Sequence, residues 1–210
     1  MKFIGRTGFL TTFLFCQIIV FAQKEWKPEV HKDGIKVYAK IDEGVKIKAL
    51  KAVCTLNASL DEIIRLLLDV ELAQKWICHT KSCVLLRRVS ENELYYYTEV
   101  SLPWPLSNRD FVTHLKVIRN AGSQIVTVEA PAVSGFVPER KGVVRVKHSV
   151  STWIITPAGK NRCVLEYRLH VDPGGAIPAW VINSFASHAP VETFQNMRIQ
   201  LKLARSSVNG

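Results

Sequence analysis

Two spacings of apolar residues divide the chain. Over Gly34–Lys40, Ile35, Val37 and Ala39 alternate with polar or aromatic neighbours, and a period of two predicts a half-buried strand. A second long strand is predicted over Lys46–Leu56. Then the period changes. Ser59-Leu-Asp-Glu62 has the form of a capping box, in which hydroxyl and carboxylate each satisfy an amide that a helix start leaves orphaned. The helix it opens carries Ile63, Ile64, Leu67 and Leu68, and it is predicted to break near Asp69 before a short turn bearing Leu72 and Trp76.

Strand patterns follow over Val84–Val89, Leu94–Leu102, Phe111–Arg119, Gln124–Ala130, Val143–Thr156 and Cys163–Val171. Turn chemistry joins them at Glu91-Asn92, Ala121-Gly-Ser123 and Pro157-Ala-Gly159. Successive strands with no helix between them make an antiparallel sheet. Pro178 suits the first turn of a helix, which is predicted to run to about Arg205 with a kink at Pro190. The expected fold class is therefore α+β, a sheet and a long C-terminal helix that each have an apolar face to bury.

Ahead of this pattern, Lys2 and Arg6 precede an apolar run over Phe9–Phe21, and Val20-Phe21-Ala22 ends in a small residue. Residues 1–22 are read as a signal peptide, which makes the mature protein exported, periplasmic or secreted, and starting near Gln23. A retained anchor is the other reading. Cys16 follows Phe15, too large for a normal lipobox. The remainder, 23–210, is long enough for one domain with a sizeable core, and no linker or repeat divides it.

Two proline-anchored strings carry the most specific information. They are Leu102-Pro-Trp-Pro-Leu-Ser-Asn-Arg-Asp-Phe-Val112 and Val171-Asp-Pro-Gly-Gly-Ala-Ile-Pro-Ala-Trp180. Together with Trp76 before them and Gly142-Val-Val-Arg145 between them, their order resembles the START family, the lipid-transfer domains related to the steroidogenic acute regulatory protein. The resemblance spans Trp26 to Leu203. It implies a helix-grip fold: a curved antiparallel sheet wrapped around the last helix, which lids an internal apolar cavity. It also implies a non-enzymatic binder of a lipid or other hydrophobic small molecule. The alternative is an aromatase/cyclase-like enzyme on the same scaffold.

Residues expected to contact such a ligand are Trp76, Tyr95, Tyr97, Glu99 and Phe111, with Arg109 at the start of a strand. Trp180, Asn183 and Ser184 are expected to do so from the last helix, and Trp104 from the loop before Arg109. Glu99 shares a strand face with Tyr95 and Tyr97. It either points into the cavity, as the acidic member of a sterol-type pair, or faces solvent. Leu115 stands where the resemblance would place the basic partner. Arg109 and Asp110 read as a loop-to-strand fastening. The loop around Trp104 and the segment Gly174–Trp180 are expected to form a gate that touches the bilayer transiently.

The chemical alternatives are weaker. Ser184, His188 and Glu192 recur on one face of the last helix, but a triad needs a base aimed at its nucleophile and oxyanion donors. No Gly-x-Ser-x-Gly elbow occurs, so no catalytic residue is assigned. Cys78, His79 and Cys83 are close in sequence but fit no standard zinc spacing, so neither metal nor cofactor is expected. Cys78–Cys83 and Cys54–Cys163 are open as disulfides, with buried thiols as the alternative. The charge of +10 leaves +8 without Lys2 and Arg6, and it is scattered, as at Lys46, Lys48, Lys51 and Lys160–Arg162. A nucleic-acid reader would concentrate it in a stripe, so no nucleic-acid partner is expected.

Overall fold

The structure is a computed structural model that describes residues 25–41, 49–175 and 177–207, excluding the side chains of 179, 182 and 184–186. The apolar N-terminal run and the side chain of Ser184 therefore lie outside the described residues.

Strands β1 (Lys27–Lys32), β2 (Ile35–Lys40) and β3 (Ala49–Leu56) lead into helices α1 (Leu60–Leu68) and α2 (Val70–Trp76). Then come β4 (Thr80–Ser90), β5 (Glu93–Val100), β6 (Asn108–Arg119), β7 (Val126–Val133), β8 (Val143–Arg145), β9 (His148–Pro157) and β10 (Cys163–Asp172). The long helix α3 (Ala179–Ser206) closes the chain and contains Pro190.

One sheet holds every strand, in the order β1-β2-β3-β10-β9-β7-β6-β5-β4. All neighbours along that path are antiparallel; β8 alone pairs in parallel, with β6. The long strand expected over Val143–Thr156 is therefore two. It breaks at Val146 and Lys147, where Val146 donates its amide to the Asp110 carbonyl at 2.8 Å.

The capping box forms as its sequence demands. Ser59 N–H donates to Glu62 Oε2 at 2.7 Å, and Glu62 N–H donates back to Ser59 Oγ at 3.3 Å. Ile63, Ile64, Leu66 and Leu67 are buried on the helix that follows. Asp69 ends α1 and caps α2, accepting from Leu72 N–H at 2.9 Å. Glu62 has a second task, because Arg205 near the end of α3 grips its carboxylate at 2.6 and 2.8 Å. The start of α1 thus anchors the far end of α3.

The core joins the inner sheet face to α1, α2 and α3 through Ile35, Val37, Ile63, Val70, Phe194 and Met197. Trp153 on β9 stands at its centre. Its ring meets Trp76 edge-on at 5.9 Å and Phe194 edge-on at 6.0 Å, geometries that aromatic pairs favour, and lies tilted against Tyr167 at 4.2 Å.

Candidate functional site: the cavity under the last helix

Between the sheet and the helices the packing leaves a cavity of about 260 Å³. Its floor comes from β5, β6, β9 and β10, its side from the end of α2, and its cover from Ala189, Pro190 and Thr193 of α3. Most of the wall is apolar, including Leu67, Val70, Leu102, Leu115, Leu169 and Val171. Much of its polarity is supplied by neutral hydroxyls. Tyr96 shares a hydrogen bond with its cross-strand partner Thr113, and Tyr167 with Ser151. Burial pushes both phenols up, so they stay neutral at any physiological pH.

Two buried groups in this wall have no hydrogen-bond partner among the described residues, Trp76 Nε1 and Thr80 Oγ1. Buried polar atoms are almost always paired. An indole N–H can only donate, so the α2–β4 end of the cavity calls for an acceptor.

The one guanidinium in the described wall belongs to Arg109. It donates to the backbone carbonyls of Ser107, of Pro173 (3.2 Å) and of Gly174 (3.1 Å). A single side chain thereby ties the loop before β6 to the loop after β10. Gly175, at φ 72°, leaves room for it, since a Cβ there would lie 3.3 Å from the guanidinium.

The period of two places the expected residues on opposite sides. Phe111 and Arg109 face the cavity, as does Trp76 from α2. Tyr95, Tyr97 and Glu99 do not; the cavity takes Tyr96, Thr98 and Val100 from the same strand. Contrary to both expectations, Glu99 faces neither the cavity nor solvent. Glu99 is 3% exposed beneath the segment that follows β7. It accepts from Asn108 Nδ2 (2.8 Å), Lys81 Nζ (2.9 Å) and Arg140 NH1 (3.0 Å). Lys81 and then Asn108 hold its carboxyl below the usual carboxylate range. Tyr97 donates to Asp110 at 3.1 Å. Tyr95 stacks between His114 and Phe136, with both ring centroids at 4.3 Å.

Asp110, fully buried, receives the Arg145 fork at 2.7 and 3.1 Å. Arg145 also reaches the carbonyls of Val137 and Pro138. Arg109 and Asp110 are thus both fastenings, on opposite faces of β6. Trp104 and Trp180 are 92% and 74% exposed and lie outside the wall, and Asn183 is half-buried but not part of it. Sequence reasoning did not single out Tyr96, Thr98, Thr113, Trp153 or Tyr167. Opposite parity on β5 was the available signal for Tyr96 and Thr98, and the shared parity with Phe111 on β6 was the signal for Thr113.

All four described cysteines are free. The β3–β10 register sets Cys54 opposite Leu165 and Cys163 opposite Leu56, two places out of step. Cys83 meets Thr98 Oγ1 at 3.5 Å on the sheet, while Cys78 hydrogen-bonds to Glu192 on α3. Burial pushes the Cys54 thiol up to about 11, and burial with the Glu192 carboxylate pushes Cys78 up to about 12. Neither supplies a thiolate nucleophile at neutral pH.

An antiparallel sheet gripping one long helix over an internal cavity is the helix-grip class of α+β proteins. The sequence signature of the START domain matches residues 16–207, and the chain belongs to that family. It is 32% identical to an uncharacterised protein of Pseudomonas aeruginosa, over 83% of this chain and 86% of that one. Bovine phosphatidylcholine transfer protein is 28% identical, with 82% of each chain covered. A STAR-related lipid transfer protein fragment from Xanthomonas axonopodis superposes with a TM-score of 0.78 at 32% identity, covering 84% of this chain and 98% of that fragment.

Proposed function

We propose that the chain binds one lipid, or a similar amphipathic molecule, in the cavity under α3 and releases it at a membrane without altering it chemically. The observation that carries the reading is a largely apolar wall between sheet and helices with two unpartnered polar atoms at one end. The wall favours hydrocarbon at about 25 cal/mol per Å² buried, and Trp76 and Thr80 suit an ester or headgroup oxygen. A cavity of about 260 Å³ falls just below the usual range of ligand pockets, roughly 300–1,000 Å³. A long two-chain lipid therefore requires α3 or its flanking loops to move outward. Relatives named for lipid transfer support the same reading. The wall also lacks an activated nucleophile among the described residues, which favours a carrier over an enzyme.

Arg109 is the latch of the gate in this reading. The two loops it joins carry Trp104 and precede Trp180, and such exposed indoles suit the membrane interface. Export is part of the proposal, supported by Lys2, Arg6 and the apolar run before Ala22. Transfer of a fluorescent phospholipid between vesicles tests the whole. The full chain should accelerate it, and Trp104→Ala with Trp180→Ala should slow it without lowering stability. A folded protein that neither carries lipid nor accelerates transfer would rule the reading out.

A further inference from the structure

The corner between α2 and β4 gathers three donors, two adjacent in sequence and one from far along the chain. Cys78 and His79 follow α2, Glu192 projects from α3, and their ligand atoms all lie within 4.8 Å of one another. Cys78 is buried, whereas His79 and Glu192 reach solvent, so an ion has a way in. The backbone fixes the corner firmly. Cys78 N–H donates to Thr193 Oγ1 on α3 at 3.1 Å, and the His79 carbonyl accepts from Ser101 N–H at 2.9 Å. His79 itself sits at φ 60°, a conformation uncommon outside glycine.

Sulfur, imidazole nitrogen and carboxylate oxygen are the donor types that zinc takes, usually four to an ion. Around tetrahedral zinc, neighbouring donors sit about 3.3–3.6 Å apart, so the cluster closes with roughly 1 Å of side-chain movement. We propose that Cys78, His79 and Glu192 form a site for one divalent transition-metal ion of the zinc type, latching α3 to the α2–β4 corner. The ion replaces the proton that the thiol shares with Glu192, and that proton passes to solvent. A fourth position remains for water or another small donor. The set differs from the Cys78–His79–Cys83 cluster visible in sequence, because Cys83 points to Thr98 and the third donor comes from the lid. Cys78, His79 and Thr193 also line the cavity, so the latch joins lid to body at the cavity wall.

The test is a titration of the full, chelator-treated chain with Co²⁺ alone. A sulfur-to-cobalt charge-transfer band should grow and saturate at one ion per chain, and Zn²⁺ should bleach it. Cys78→Ser should abolish the band, Glu192→Gln should weaken binding about tenfold or more, and Cys83→Ser should change neither. Zn²⁺ should also raise the Tm of the wild type and slow amide exchange in α3 around Thr193, with neither effect in Cys78→Ser. If Cys78→Ser does not fold, His79→Gln and Glu192→Gln carry the comparison. A folded wild type without the band overturns the site. So does a band that survives Cys78→Ser, or affinity unchanged in both fallback variants.

Discussion

The two faces of β5 and β6 are built from alternate residues of the same strands, yet they follow opposite rules. Outward, Tyr97, Glu99 and Asp110 are buried under the segment after β7 and matched to Arg140, Arg145, Lys81 and Asn108. Inward, Tyr96, Thr98, Phe111 and Thr113 meet a cavity with no carboxylate in its described wall. Carboxylates are confined to the side where fixed cationic partners satisfy them, since an unpaired buried ion costs several kcal/mol. The inner side of these strands keeps neutral groups and one guanidinium, Arg109, which three backbone carbonyls satisfy. The outer face therefore governs stability, and the inner face is left to govern what is bound.

The sharpest way to break this comparison is Asp110→Ala. It strands the buried Arg145 guanidinium and the Tyr97 hydroxyl, and should cost about 3–5 kcal/mol in chemical denaturation. Protein that remains folded should hold as much ligand as the wild type. A loss below about 1 kcal/mol would mean that the outer network does not carry the fold.

Arg109→Met probes the inner face of the same strand. It removes the donors that hold the carbonyls of Ser107, Pro173 and Gly174 together. With each such bond contributing about 0.5–1.5 kcal/mol, vesicle exchange should quicken by roughly tenfold. Unchanged or slower exchange would show that these loops are not the gate.

The smallest effect lies away from both faces, at Glu62. Arg205 first, then the capping amide and hydroxyl of Ser59, hold its carboxyl down at about 2, from an ordinary 4.5. A folded value below the unfolded one gives stability that is present above about 4.5 and lost as pH falls toward about 2. Both side chains are partly exposed, so the contribution is about 1 kcal/mol or less. Urea melts between pH 6 and pH 3 should flatten in Glu62→Gln. The same slope in both proteins would contradict it.

Much of the fold was legible because local rules and global packing agree. The capping box, the stop at Asp69 and the succession of strands all follow from the residues themselves. Strand β1 was not, since Lys27, Glu29, His31 and Lys32 form an exposed edge. Edges of that kind carry charge instead of apolar alternation. The phase of β5 was lost for a different reason. In Tyr95-Tyr96-Tyr97 both faces are aromatic, so period two cannot say which looks inward, and a segment some forty residues on decides it by covering one side. Glu192 could not be joined to Cys78 from spacing, because only the docking of α3 brings them together.

The inner face is proposed to hold a ligand. Native mass spectrometry of the purified full chain tests it most directly when paired with Ala130→Phe, which fills the cavity from β7. The wild type should carry one lipid-sized ligand per chain, and the folded variant should carry little or none. Equal ligand on both proteins, or none on a folded wild type offered lipid vesicles, would contradict the account.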